Sequence, residues 1–563
     1  MLTLHSVCLR LSGAFHFLRS TPMLRVVASL SLLVVSVVPL CHAADPTIQT
    51  GETIYRKGVL ISGEALEGKR DDGATSMGAD AACINCHQRS GLGSKEGRIS
   101  IPPITGRYLF HARASSVENL DLPYVEGIRP NREPYTDESL AKAIREGIDS
   151  EGKPLNYLMP RYQLNDADMA ALIGHLKHLD QRRLPGVDDT VLHFATIITP
   201  DADPIKAKGM LDVIEHYFAV KNTFPIGATP PVRSSRKMMY MVNRHWQLHI
   251  WRLNGPATGW QMQLEKHLAQ EPVLAVVSGI GGANWAPVHA FCEKSTIPCL
   301  FPNVEAPPAE ADRDFYSLYF SKGVLLEAGL IANNLLKQHD ENMVTQIRQV
   351  YRAGDGGEEG AMALAALLEP HGFKFEAHAL AKELPASSVA NALNETKSEN
   401  VLVLWLRPPD ISALSQVPDV PSTVFVSGLL GGLEHAPLPP DWRKRIQLTY
   451  PFDLPKHRRV GVDFARGWFS ISHIPVVDEQ VQADTYLACG LLAETLSHMT
   501  DTFVREYLIE RMQSMIEHRI VTGYYPHLAL ASGQRFASKG GYIVRFASGE
   551  GKDVIKPSEW IRP

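Results

Sequence analysis

Cys83, Cys86 and His87 are the residues of this 563-residue chain whose types and spacing can do chemistry, within the stretch A-C-I-N-C-H-Q-R-S-G-L-G from position 82 to 93. Two thiols three positions apart on one helical turn can each add across a vinyl group of a haem, and the histidine that follows donates a ring nitrogen to the iron. The same five residues would also suit a disulfide, half of a zinc site or a redox pair. No second C-x-x-C or Cys/His pair completes four zinc ligands, and no βαβ pattern surrounds the motif as a thioredoxin-like pair requires. The spacing therefore predicts one covalent c-type haem with His87 as an axial ligand.

The elements around the motif read as a small helical unit. Residues 48–60 carry Gly51 and Tyr55 one turn apart. Residues 165–179 place Met169, Leu172, Ile173 and Leu176 at helical spacing, with Asn165 or Asp166 as the cap. Gly51 would let these two helices cross in contact. Residues 136–147 form a third helix with Asp137 and Glu138 near its positive end. His175 and His178 are expected on the surface of the last helix.

This segment resembles the class I cytochrome c family over nearly all of residues 44–184. The family holds a methionine opposite the histidine, in a loop before its C-terminal helix. Here that loop reads Asn156-Tyr157-Leu158-Met159-Pro160-Arg161-Tyr162, so the resemblance implies Met159 as sixth ligand, with Met77, Met169, His111 and His175 as competitors. A thioether opposite an imidazole raises the haem potential and fills the iron's coordination, which suits electron transfer. The family also uses a proline carbonyl to hold the histidine's other ring nitrogen, and Ile101-Pro102-Pro103-Ile104-Thr105-Gly106 resembles that loop, with Pro102 in the role. Arg98 and Arg107 are candidates for haem propionates. An insertion between Gly106 and Thr136, including residues 117–131, departs from small family members.

Residues 1–43 read as a secretory signal peptide. Arg25 precedes an apolar run from Val26 to Leu40, which ends at Cys41-His42-Ala43. The run is short for a membrane span and contains Pro39, and Met23 makes a more usual leader start than Met1. A soluble periplasmic protein with no span after signal removal is expected. Lys+Arg 56 against Asp+Glu 61, without basic runs, gives no reason to expect nucleic acid.

A polar connector near 181–190 separates the haem segment from residues 190–563. There, short β-branched runs (191–199, 273–278, 299–302, 346–351, 401–405, 423–427) alternate with helical stretches (207–220, 260–269, 285–294, 323–337, 357–368, 483–499). Such alternation predicts parallel sheets with crossover helices, and its length suggests two lobes. The expected fold class is thus multidomain: an all-α cytochrome c domain followed by an α/β two-lobed binding-protein-like domain.

This half resembles the type I periplasmic solute-binding proteins, the branched-chain amino acid receptor group of ABC transport. The carrying residues are Pro272–Gly279 leading into a helix from Asn284, Ser295–Pro302, and the crossover from Gln346 to His371 with Asp355-Gly356-Gly357. The resemblance implies a ligand held between lobes at the carboxyl ends of the strands, with Ser278, Gly279, Gly281, Asn284, Asn303, Glu305 and Asp355 lining it. The loop Gly279–Asn284 lacks the hydroxyl that the amino acid receptors place there, which counts against an amino acid ligand.

Cys292 and Cys299 lie seven apart, at a helix end and on the next strand, so they form either a disulfide or two reduced core thiols. Cys489 is left as a buried thiol. No hydrolase, phosphate-loop or dinucleotide motif appears. The expected function is a periplasmic haem electron carrier with a fused domain that binds or senses a small molecule. A periplasmic redox protein is its expected partner, and an ABC permease is the partner that the resemblance adds. The alternatives are an oxidoreductase subunit passing electrons from a cleft-bound substrate to the haem, and an ABC receptor with a haem appendage.

Overall fold

The computed structural model describes residues 46–563 apart from 97–98, 111–131, 180–183, 224–226, 229–231, 235–236, 240–241, 339–345, 395–400, 418–420, 500–501, 532, 549–550 and 557. His111, Arg98, the insertion at 117–131 and the leader fall outside the described residues.

The chain begins with helix α1 (Pro46–Lys57). Short strands β1 (Glu67–Lys69) and β2 (Thr75–Met77) follow, then the single-turn helix α2 (Ile84–His87). A hairpin β3 (Ser94–Glu96) and β4 (Ile99–Ile101) leads to α3 (Gly106–Phe110) and α4 (Asp137–Glu146). The part closes with β5 (Arg161–Tyr162) and α5 (Asp166–His178). Local signals set the helix ends as the sequence suggests. The Thr136 hydroxyl accepts from the Ser139 amide, Gly147 ends α4 in the left-handed conformation, and the Asn165 side chain accepts from the Asp168 amide.

Helices α1 and α5 cross at Gly51, where an added Cβ would lie 2.0 Å from the Ala171 carbonyl oxygen. This contact also overturns the expected place of His175. It is 6 % exposed, because α1 runs directly over it and the Tyr55 ring sits 5.2 Å away. His178 is exposed and bonds back to the Gly174 carbonyl. The part is not purely helical: β1 pairs with β2 and β5, and β3 with β4. The excursions between helices satisfy their backbone groups by pairing with one another.

Two parallel sheets carry the rest. The first sheet is built from β6 (Val191–Ile198), α6 (Pro204–Lys221), β7 (His245–Arg252) and α7 (Trp260–Gln270). It continues through β8 (Ala275–Val277), α8 (Ala286–Lys294), β9 (Cys299–Leu300) and β10 (Ser317–Leu318). Its five strands are ordered β7-β6-β8-β9-β10.

Helix α9 (Val324–Gln338) then crosses to the second sheet: β11 (Gln346–Arg352), α10 (Gly356–Leu368), β12 (Lys374–Leu380), β13 (Val401–Trp405), β14 (Thr423–Val426) and β15 (Ile446–Tyr450). Helices α11 (Pro455–Ile471), α12 (Glu479–Met499) and α13 (Arg505–Ile516) precede β16 (Tyr542–Phe546) and β17 (Val554–Ile555). The seven strands run in the order β12-β11-β13-β14-β15-β16-β17, with the last two antiparallel.

Helix α12 returns to pack on α6. One apolar core spans both sheets, including Phe194 of β6, Leu404 of β13 and Leu448 of β15. Cys292 and Cys299 are joined as a disulfide between α8 and β9, and Cys489 is a buried free thiol on α12.

Gly51→Val should force α1 off α5, a steric insertion that costs about 1–3 kcal/mol in a packed core. The measurement is the denaturant midpoint of the N-terminal part; an unshifted midpoint would show that the crossing tolerates a side chain.

Candidate haem site and ligand cleft

Helix α2 carries both thiols and the histidine on a single turn, with Cys83 at its N-cap. Cys83 and Cys86 are unbridged and half-buried. Burial pushes the Cys83 thiol up to about 12. His87 is 6 % exposed, and burial lowers its imidazole to about 4, against the opposing hydrogen bond to Pro102. A metal-ligating histidine must be neutral, and burial favours that form here.

His87 Nδ1 lies 3.0 Å from the Pro102 carbonyl oxygen. A carbonyl only accepts, so Nδ1 carries the proton and Nε2 keeps its lone pair for a metal. The hairpin explains how position 102 returns to position 87. Ser94 pairs with Ile101, so Gly93 stands opposite Pro102. Gly93 sits at φ 79°, and an added Cβ would lie 2.1 Å from the Ile101 carbonyl oxygen. The Gly93 amide donates to the His87 carbonyl and the Ser94 hydroxyl to that of Cys86.

Two tyrosines brace the motif from either side: Tyr162 donates to the Ala81 carbonyl (3.0 Å) and Tyr55 to that of Gln88 (2.6 Å). Met159 is half-buried and packs on the same core as Cys83. Of its competitors, Met77 is 51 % exposed and Met169 is buried inside α5. Two thiols outside any disulfide, a histidine with an oriented Nε2 and a thioether on the same core make a donor set that fits a c-type haem.

The expected cleft residues fall into four groups. Ser278 is fully buried at φ 52°, so its hydroxyl turns inward and lies 2.9 Å from Thr485 Oγ1 on α12. Asn303 Nδ2 donates to the same Ser278 oxygen at 3.0 Å, so both residues are satisfied internally. Added Cβ atoms at Gly279 and Gly281 would each lie 2.7 Å from the Trp285 ring; these glycines make room for a tryptophan. Asn284 is exposed.

Glu305 and Asp355 do come together, through a residue that sequence reasoning missed. Arg407, just beyond β13, reaches Glu305 (2.6 Å) beyond β9 and Asp355 (2.5 Å) at the cap of α10. Burial opposes the guanidinium charge, but hydrogen bonds to the two carboxylates hold its pKa above the ordinary range. Lys206 adds a more distant cation, 3.9 Å from Glu305 and from Asp478. The carboxyl ends of strands in both sheets are thus bridged by one ion-pair cluster.

Residues 71–180 match the family model of cytochrome c. No curated protein matches the chain. Solved structures with similarity include a fatty acid ABC transporter substrate-binding protein from Thermomonospora curvata (12% identity, 68% of this chain, 95% of that chain, TM-score 0.46). A substrate-binding periplasmic protein from Ralstonia solanacearum gives 13%, 65%, 99% and 0.48. A branched-chain amino acid ABC transporter from Thermus thermophilus with bound valine gives 10%, 67%, 97% and 0.47. Among the described residues, no helix is long and apolar enough to cross a membrane.

The part that contains the match to the cytochrome c model is packed on the remainder of the chain through the turn that follows its motif. Ser90 gives Glu510 of α13 two hydrogen bonds, from its amide (3.1 Å) and its hydroxyl (2.5 Å). The Arg89 guanidinium lies 4.1 Å over the Phe315 ring, and Leu92 enters the core shared by both sheets. Arg56 of α1 pairs with Glu506 at 3.7 Å.

Arg407→Ala should leave Glu305 and Asp355 facing each other without their shared cation. Allowing for the partial exposure of Arg407, the expected loss is about 1–2 kcal/mol. Arg407→Lys should recover little, because an ammonium cannot fork to two carboxylates. Denaturant unfolding of both variants checks this, and wild-type stability in Arg407→Ala would mean that solvent screens the cluster.

Proposed function

We propose that this chain is an exported one-haem electron-transfer protein whose second half binds a small solute. The observation that carries the haem reading is His87: buried, and held by the Pro102 carbonyl so that Nε2 is the nitrogen left to ligate a metal. Cys83 and Cys86 would hold the haem covalently, and His87 and Met159 would bind its iron. The haem, when bound, supplies a one-electron couple.

The protein's own groups set the conditions for that couple. The Pro102 carbonyl fixes the ring and raises its donor strength. Met159 favours the reduced iron and keeps other ligands off. Residues 1–43 would direct export and be removed, leaving a haem domain at 44–184 and a binding domain at 190–563. In doubly wound parallel sheets, ligands bind at the carboxyl ends of strands. The cluster of Glu305, Asp355 and Arg407 lies at such ends in both sheets, which supports that region as the solute's seat. A periplasmic redox protein would exchange electrons with the haem, and an ABC permease is the further partner of this reading.

The exported protein, purified and denatured, should retain one haem per chain. In the native oxidised protein, Met159→Ala should remove the weak red-edge sulfur-to-iron band and lower the midpoint potential. Loss of haem on denaturation would sink the covalent reading; an unchanged band would move the ligand role to Met77. Mass spectrometry of small molecules released from the same preparation should identify the solute.

A further inference from the structure

Glu510 is a carboxylate in an unusual place. It lies on α13, far along the chain from the haem motif, yet both its oxygens are engaged by Ser90, three residues after His87. The α-carbons of His87 and Ser90 can be no more than about 11 Å apart. Tyr55 lies within electrostatic reach of Glu510, and its hydroxyl holds the Gln88 carbonyl inside the same turn.

The groups facing this carboxylate are mixed in sign. Glu506 stands one turn back on α13 and Tyr55 on α1. The Arg89 amide also points at it. The two nearby guanidinium groups are directed elsewhere, Arg56 to Glu506 and Arg89 over Phe315. Tyr316 donates to Glu506 at 2.7 Å, and Glu293 lies in the field of Arg89. No cation is paired with Glu510 among the described residues. Its charge is stabilised by Ser90 alone on the side-chain level, against burial and Glu506.

Reducing a haem iron adds one negative charge to a buried site, and a nearby acid of balanced affinity compensates it by taking up a proton. Resting on the haem reading above, we propose that Glu510 is the proton partner of the iron. The Glu510 carboxylate would take one proton from solvent as a donor protein passes one electron to the bound haem, and would release it when that electron leaves. Glu506, whose side chain is 21 % exposed, gives that proton a way in beside α1. Burial raises Glu510 to about 8, with the Ser90 hydrogen bonds opposing, so the carboxyl changes state near physiological pH. The haem potential is then set partly by a residue of the other half of the chain.

The sign follows from mass action: rising pH withdraws the proton that reduction requires, so the potential falls. The test is potentiometric titration of the haem-loaded full chain from pH 5 to 10. The wild type should lose potential around pH 8 with a slope approaching about 59 mV per pH unit, a tenfold change per unit for one electron, and flatten on either side. Glu510→Gln, which keeps the shape but cannot ionise, should be flat through that window with an unchanged absorption spectrum. Ser90→Ala removes a donor that favours the carboxylate, so its window should move to higher pH. A flat wild type, or a wild-type slope in Glu510→Gln, would overturn the proposal. If Glu510→Gln does not accumulate, Ser90→Ala decides, and an unmoved window overturns it. A chain that carries no haem shows no haem absorption before any titration, and fails the earlier reading instead.

Discussion

One hydrogen bond, from His87 Nδ1 to the Pro102 carbonyl, is the constraint on which the haem site depends. A neutral imidazole has one proton and two places for it, and only the Nδ1 tautomer leaves Nε2 to bind iron. That choice is made by a backbone oxygen fifteen residues downstream, so it rests on the hairpin that brings the oxygen back. The hairpin rests in turn on Gly93, where the chain passes too close to Ile101 for a side chain. Helices α1 and α5 support the other side, and they approach closely because Gly51 also lacks one. Two missing side chains permit the packing around one proton.

What the sequence disclosed was what is local. The C-x-x-C-H turn, the cap of α5, and the strands and helices with strong periodicity all announce themselves within a few residues. Strand β7, His-Trp-Gln-Leu-His-Ile-Trp-Arg, did not: an edge strand carries polar residues that break the apolar run. The burial of His175 depends on which helix crosses over it, and histidine is at home in either environment. Ser278 looked like a cleft residue because it ends a strand, but its positive φ turns the side chain toward Thr485, more than two hundred residues away. Arg407 follows its strand with no motif around it, and only the fold brings Glu305 and Asp355 within its reach. The family match at residues 71–180 likewise says nothing of Glu510, which lies outside it.

The join between the two parts is of a different kind from a tether. A flexible connector would supply proximity alone, whereas Leu92 lies in the same apolar core as residues of both sheets. The turn after the C-x-x-C-H motif is therefore part of the packing of the remainder. Interiors respond to displacement by shifting between discrete arrangements, not by yielding smoothly. A movement of α13 is felt at Ser90 as a lost or retained pair of hydrogen bonds.

The Ser90–Glu510 contact joins positions 420 residues apart, and this gives the molecule an order of assembly. A chain made from its N-terminus presents the C-x-x-C-H turn long before α13 exists, and closing so large a loop is entropically late. Through that interval the thiols of Cys83 and Cys86 stand on a turn whose flank is still uncovered. Any chemistry at those thiols has this interval in which to act, and α13 afterwards covers the turn. The contact thus acts as a timer as well as a joint: a residue that holds the finished turn is, by its distance along the chain, late to arrive.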